Sequence, residues 1–508
     1  MNKVSLMSRR QNRAQSEFIC DATDLIVRPA RSDGGAVREL LTPLIRASAD
    51  VDDIIYRQDI LREFCASDQL LARLNILFER FNECRGEWLK FRSDRRNAAS
   101  NQSLSNYGDF AQLQCRNTAG ILKRVLLLLR EVRSQLGSPE SDGLRKLAAA
   151  VGAADGDSFS ELLSLCGQLE YRAPNHPTDL HIALDSLGRI VGAELCDHSQ
   201  IKIVECDLEP KGWRARIGES VSDLIGFCRG KSFGSSQTEN PTEYTPVCER
   251  VGNVNVSLYE QLTSQPYSSL ADLMSDLAGQ IFDCFAETKN ELAFYESALK
   301  YCHILVERNL PLTYPTFGEN TVIESLCDLH RSLTPAEYTE SQSIVPFDFK
   351  VDAKSGTLVY GDADGKTTFL RTLAAIQLLA QSGLPIPAGR AELRVYRQLF
   401  IAFTEAEDTL SEEYGAGRFE QEAHRIRDII DRLEPGGLVM LDEPFQSTDP
   451  TEGARWLYNI LGYISDIGGQ WVAATSLSGL RRAASNGDGQ PVGAYLYSIA
   501  ADHKMARE

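Results

Sequence analysis

A chain of 508 residues exceeds what one hydrophobic core supports, and its length predicts about three domains. The net charge of −18 argues against a strongly basic nucleic-acid binder, although a local basic surface stays compatible with it. The 12 cysteines form no C-x-x-C pair, which speaks against a zinc site or a disulfide framework and for reduced thiols. No apolar run reaches membrane-spanning length.

In chain order, residues 1–34 carry basic side chains without an apolar signal-peptide core. They read as a flexible N-terminal arm of a cytoplasmic protein. Residues 35–310 read as a mainly helical domain. The pairs Leu40-Leu41, Leu44-Ile45, Ile54-Ile55, Ile60-Leu61 and Leu70-Leu71 fit amphipathic helices. Another helix runs from Phe110 through Leu129 and ends before the Gly137-Ser138-Pro139 turn. Around Leu180, Ile182 and Leu184 the apolar spacing drops to two, and Ile190-Val191 resume after a Ser186-Leu187-Gly188-Arg189 turn, predicting a hairpin. Residues 230–246, rich in small and polar side chains, predict an exposed loop. Over residues 267–309 the apolar positions fall largely on one face, predicting a single lever-like helix of roughly 60 Å.

Residues 311–508 have a different character. Gly356 to Tyr360 is a short apolar run suited to a buried strand, and it leads into Gly361-Asp362-Ala363-Asp364-Gly365-Lys366-Thr367-Thr368. A phosphate-binding loop of the G-x-x-x-x-G-K-[ST] type uses glycines to turn backbone N–H groups onto phosphates. Its lysine reaches the β and γ oxygens and its hydroxyl holds Mg²⁺. Here three residues separate Gly361 from Gly365 instead of four, and Asp364 adds an anion. A helical pattern follows from Thr368 to Leu379. Further on, Leu438-Val439-Met440-Leu441 is an apolar strand ending in Asp442 and Glu443, in position to hold Mg²⁺ and to orient a water respectively.

These motifs resemble the MutS group of mismatch-repair ATPases, in a shortened bacterial MutS-like form. The similarity is strongest over residues 344–480. Val345-Pro346-Phe347-Asp348 stands where the group has V-P-N-D, and Gly361 to Leu393 follows its P-loop and Q-x-G-x-x-V-P-A pattern. Phe403 to Asp408 and Gly417 to Glu422 resemble the segment leading into and containing its signature, and Leu441 to Asp449 its Walker B and D-loop. Ile55 to Arg62 and Glu291 to Tyr295 are weaker matches to its helical core and lever. The mismatch-reading domain has no visible counterpart.

The resemblance implies a helical core and lever domain followed by a P-loop NTPase (ABC/MutS-type) domain with a mainly parallel sheet, an α + α/β architecture. It implies ATP and Mg²⁺ as cofactors, held by Gly361, Gly365, Lys366, Thr367, Thr368 and Asp442, with Mg²⁺ on Thr367 and Asp442 and Glu443 orienting water. Gly417 and Arg418 become the candidates reaching across a dimer, and Ser447, Thr448 and Asp449 form the D-loop. Departures accompany it: the loop is one residue short, Gly417 replaces a common serine, and Ser476 stands where a histidine senses the γ-phosphate. Weak binding and slow turnover are expected in a homodimer or heterodimer that clamps DNA or a partner. A scaffold that keeps the dimer fold without nucleotide chemistry is the second reading. For double-stranded or structured DNA, Arg92, Arg95, Arg96, Lys123 and Arg124 are the candidates, within a basic stretch from Arg85 to Arg133; a solvated helix face explains such a stretch equally well.

Overall fold

The computed structural model describes residues 3–9, 18–20, 36–99, 107–152, 156–171, 179–184, 190–196, 248–250, 256–334, 344–353, 356–360, 365–403, 418–446, 448–477, 479–480, 494–499 and 505–507. The predicted 230–246 loop lies outside them. The chain forms two compact units, one of residues 1–5 and 67–292, the other of residues 6–66 and 293–508. Where the pattern placed one boundary near residue 310, the sheet-bearing unit thus also takes in residues 6–66 and 293–310.

The helices, in chain order, begin with α1 (Ala36–Leu41), α2 (Val51–Ala66), α3 (Asp68–Ala99) and α4 (Tyr107–Leu136). They continue with α5 (Asp142–Ala150), α6 (Asp157–Tyr171), α7 (Val256–Cys284) and α8 (Thr288–Glu307). The C-terminal part adds α9 (Leu329–Leu333), α10 (Lys366–Gln381), α11 (Arg418–Arg432) and α12 (Pro450–Asp466).

In the first unit α3, α4, α6 and α7 pack around a buried aromatic cluster. Phe81 meets Phe282 and Phe285 edge-on at 5.2 and 5.8 Å, an arrangement that places positive ring edges on negative faces. Trp88 lies over Gly279, and its indole N–H donates to Ser275 Oγ at 3.1 Å. Helix α4 ends at Gly137 with a positive φ of 54°, the left-handed conformation that closes helices at glycine. The predicted hairpin is present as β1 (Asp179–Leu184) and β2 (Ile190–Cys196), antiparallel, with β3 (Cys248–Arg250) on the other side of β1.

The single long helix expected over residues 267–309 is two helices, α7 and α8, separated by a turn at residues 285–287. A continuous helix would use the Cys284 carbonyl to accept the Thr288 N–H. Instead Val4 donates to that carbonyl at 3.0 Å, and Thr288 N–H turns back to Phe285 O at 3.2 Å. The N-terminal residues expected to be a flexible arm are therefore anchored in part. Val4 and Leu6 are buried, Tyr295 donates to Leu6 O at 2.5 Å, and Arg57 donates to Met7 O at 2.7 Å.

The second unit carries a six-stranded sheet in the order β13-β12-β7-β11-β10-β9. Its strands are β7 (Gly356–Tyr360), β9 (Leu399–Ala402), β10 (Leu438–Asp442), β11 (Gln470–Thr475), β12 (Ala494–Ile499) and β13 (Met505–Arg507). Five are parallel and β13 alone is antiparallel, so the mainly parallel sheet is as expected. Every residue of β7, β9, β10 and β11 is fully or nearly buried, which is why those strands read as continuous apolar runs. Gly356 is required by packing: a Cβ there would stand 2.0 Å from the Trp471 indole. Ile19 extends the β9 edge, pairing in parallel with Gln398.

A separate four-stranded sheet, order β4-β8-β5-β6, was not apparent from the sequence. It consists of β4 (Thr316–Phe317), β5 (Thr321–Leu326), β6 (Phe347–Val351) and β8 (Arg390–Leu393). Buried Gln381 joins this region to the helices, donating to Ser48 O at 2.9 Å and to Tyr396 O at 2.8 Å. No helix among the described residues is long and apolar enough to cross a membrane.

Candidate nucleotide site

The site lies at the carboxyl edge of the parallel sheet, where open α/β folds bind ligands. Register aligns its components: Thr475 of β11 faces Tyr360 of β7, and Asp442 of β10 faces Ala474 of β11. Gly361 and the three residues after it lie outside the described residues, as do Gly417 and Ser447. Gly365, at φ 148°, is the N-cap of α10, and its carbonyl accepts the Phe369 N–H at 2.8 Å. The first turn of α10 therefore aims its N–H groups and the positive end of the helix dipole at this edge.

Lys366, Thr367, Asp442 and Glu443 come together here from segments 75 residues apart. Thr367 donates its hydroxyl to Asp442 Oδ1 at 3.0 Å. Lys366 Nζ sits 3.2 Å from Glu443 Oε1, with the two side chains only 10% and 14% exposed. Burial pushes the Asp442 carboxyl up to about 6, and the neighbouring Glu443 charge acts in the same direction. Thr367, Arg371 and Lys366 oppose that shift. Arg371, one helical turn beyond Thr367, is held below its ordinary value by burial, stacks 5.1 Å over Phe403 and feels the Asp442 charge. Arg371 belongs to the stretch Gly361 to Leu393 that follows the family pattern, but it is not among the site residues that the motif singles out.

The turn after β10 is strained. Glu443 and Phe445 have φ of 47° and 61°, a left-handed conformation rare outside glycine and concentrated at functional sites. Contacts from β11 and α11 hold it. Glu443 N–H donates to Ala474 O at 2.9 Å, tying the turn to β11. Ser476 donates to Glu443 Oε2 through its backbone N–H at 2.7 Å and its hydroxyl at 2.9 Å. Phe445 N–H donates to Glu422 Oε2 of α11 at 3.1 Å, and Phe445 lies 5.6 Å from Phe419 of the same helix.

Ser476, which stands where the resemblance expects a histidine, fixes the Glu443 carboxylate. Both oxygens of Glu443, the residue expected to orient water, are engaged here, one by Lys366 and the other by Ser476. Of the D-loop candidates, Asp449 caps α12, accepting from Thr451 N at 2.9 Å and Glu452 N at 3.1 Å. Thr448 N–H donates to Phe445 O at 3.2 Å, closing the turn. Arg418 is the first residue of α11.

The proposed DNA-facing cations are largely engaged within the helical unit. Lys123 pairs with Glu170 at 2.6 Å and Arg124 with Glu87, while Arg92 stacks 4.8 Å over Trp88. The side chains of Arg95 and Arg96 lie outside the described part. Among the described residues no cluster of His, Cys, Asp and Glu forms a preorganised metal cage.

Strand β7 thus precedes a helix that opens at Lys366, and the acidic pair stands at the end of β10, the second strand over. Residues 358–488 match the family described as MutS domain V. Similar proteins named Endonuclease MutS2 come from Pelotomaculum thermopropionicum, 35% identical over 161 residues, and Symbiobacterium thermophilum, 34% identical over 215 residues. These alignments cover 31% and 42% of this chain but only 20% and 26% of the relatives. A third, from Agathobacter rectalis, is 27% identical over 278 residues, covering 54% of this chain and 34% of the relative. The chain is thus similar to MutS-related proteins over part of its length, and each alignment spans about a third or less of the relative it matches.

Proposed function

We propose that the protein is a MutS-type nucleotide switch that binds Mg²⁺-ATP weakly, hydrolyses it slowly, and couples binding to dimerisation and clamping of DNA or a partner. The supporting observation is the convergence of Lys366, Thr367, Asp442 and Glu443 at the carboxyl end of a parallel sheet, above a helix N-terminus. The donor set fits the group. Asp442 is a buried carboxylate held against a Thr367 hydroxyl, with a second carboxylate beside it, and a divalent cation relieves that crowding of negative charge. Bound Mg²⁺-ATP supplies a triphosphate whose negative charge the cation screens.

The protein's own residues define the order of events. Lys366 is engaged by Glu443, so the ammonium must exchange one carboxylate for phosphate oxygens. That exchange releases Glu443 on one side while Ser476 still holds its other oxygen, giving the carboxylate the freedom to turn toward a water. Binding therefore carries the cost of opening an ion pair, consistent with weak affinity. With no imidazole at position 476, one donor to developing charge is missing, a loss typically worth about a hundredfold in rate.

Calorimetry with Mg²⁺-ATP tests the reading. Wild type is expected to bind and Lys366→Ala to lose detectable binding. Equal affinity in the two proteins would dismiss this site and favour the scaffold reading, for which the engaged lysine and the short loop are the relevant observations.

A further inference from the structure

The joint between α7 and α8 falls in a stretch whose own residues favour helix. Cys284-Phe285-Ala286-Glu287-Thr288 contains neither glycine nor proline, and alanine and glutamate are among the strong helix formers. The buried stripe crosses the joint without losing phase. Ile281, Phe285, Thr288, Leu292, Tyr295 and Leu299 are all buried, and their spacing alternates between four and three, as on one face of a single helix. A break in such a sequence needs something inserted into the i→i−4 ladder. Here the insert is a backbone group from elsewhere: Val4 N–H donates to Cys284 O at 3.0 Å.

Thr288 bears the consequence twice. Its N–H makes the short return to Phe285 O at 3.2 Å. Its hydroxyl, on a fully buried side chain, meets no hydrogen-bond partner among the described residues. In an uninterrupted helix the N–H bonds the carbonyl four residues back, Cys284 O, and a threonine hydroxyl reaches the same carbonyl. The residues after Val4 then follow α8. Ser5 Oγ donates to Glu291 Oε1 at 2.7 Å, and Tyr295, one turn further on the same face, donates to Leu6 O at 2.5 Å. Three successive residues thus hold three points, from the end of α7 into α8.

We propose that residues 4–6 are a displaceable latch: seated, they keep the joint at residues 285–287 open; withdrawn, they let residues 267–307 close into one continuous helix.

The two states differ by a small set of interactions. The seated latch gains the burial of Val4 and Leu6 and its three tethers, and it costs the ladder one turn and leaves the Thr288 hydroxyl unsatisfied. Withdrawal reverses both sides of that balance, which is the property of a two-state element. The helix is ready for either outcome, because its apolar face is already in register across the joint. None of these residues belongs to the nucleotide site.

Residue-resolved hydrogen exchange of the intact protein, read by mass spectrometry, tests the latch. Val4→Pro removes the donor itself, since proline has no N–H, and keeps an apolar ring at a buried position. Its amides at residues 286–288 are expected to exchange about tenfold more slowly than in wild type, the equivalent of one net hydrogen bond. Val4→Ala keeps the N–H and is expected to show the wild-type pattern. Ser5→Ala combined with Tyr295→Phe releases the other two tethers without touching the backbone and is expected to slow the same amides; it decides alone if the proline variant does not fold. Unchanged or faster exchange at residues 286–288 in either release variant, once folded, would overturn the proposal. So would equal slowing in Val4→Ala, which would assign the effect to side-chain packing.

Discussion

Replacing Glu443 by glutamine separates two roles that the site assigns to one carboxylate. In the ligand-free arrangement Glu443 neutralises Lys366 at 3.2 Å, in a place where both side chains are almost buried. The amide of Glu443→Gln keeps an acceptor oxygen for the two Ser476 donors but withdraws the negative charge from the ammonium. Hydrogen bonds between charged partners contribute about 1.5–3 kcal/mol each. Nucleotide no longer has to displace that contact, so binding should tighten by roughly 10- to 150-fold. An ATP analogue with a β,γ-imido bridge is the right probe, because slower hydrolysis then cannot imitate tighter binding. Calorimetry in Mg²⁺ reads the affinity, and urea denaturation of the same variant should show a lower midpoint, since Lys366 is left buried beside an uncharged group. If the analogue binds the variant no better than wild type, the ion pair does not restrain Lys366 and the displacement argument fails.

Other perturbations test the scaffold. Gly356→Ala places a Cβ 2.0 Å from an indole pinned through Trp471 Nε1 to Ser465 Oγ at 2.9 Å, so stability should fall by about 3 kcal/mol or more, and a urea midpoint near wild type would contradict this packing. Glu422→Ala strips the acceptor from Phe445 N–H and should cost about 1–3 kcal/mol, whereas Glu422→Gln keeps an acceptor and most of the stability; denaturation curves distinguish them. Burial raises Cys115 to about 11 and Cys166 to about 12, so the folded state holds protons that the unfolded chain releases near 9. Their contribution is fully present below pH 9 and is lost as pH rises toward 11–12, so Cys166→Ala should flatten the alkaline fall in urea midpoint.

What the sequence disclosed and what it hid follow from the range of the interactions involved. Strands β7, β10 and β11 are buried on both faces, and that burial writes itself locally as Gly356–Tyr360, Leu438–Asp442 and the run around Trp471–Ala474. The β1–β2 hairpin is likewise legible because its alternation has a period of two. The break between α7 and α8 is not legible, because the carbonyl that ends α7 is taken by Val4, some 280 residues away in sequence. Short strands such as β4 and β8 depend on their neighbours more than on their own composition. Charge patterns mislead for the same reason: Lys123 and Arg124 look like a basic stripe until Glu170 and Glu87 are placed against them. In the site, Lys366, Thr367, Asp442 and Glu443 were identifiable by motif, but their mutual pairing is a product of topology.

The strained turn after β10 gives this pairing a mechanical meaning. Two consecutive-but-one residues, Glu443 and Phe445, occupy left-handed backbone that costs of order 1–3 kcal/mol each, and the surrounding contacts must over-determine it. One set of contacts comes from β11, through Ala474 and Ser476; another comes from α11, through Glu422 and Phe419. Helix α11 opens at Arg418, inside the stretch Gly417 to Glu422 that resembles the family signature, so a displacement of that helix by a second protomer would act on Phe445 before it acted on Glu443. Lys366 holds the same carboxylate from the opposite side. The position of Glu443 is therefore set by three elements at once: the helix that carries Lys366, the neighbouring strand, and the helix nearest the proposed dimer contact. A turn stabilised in this way responds to a change in any of them, and that is the physical property a switch between nucleotide and partner requires.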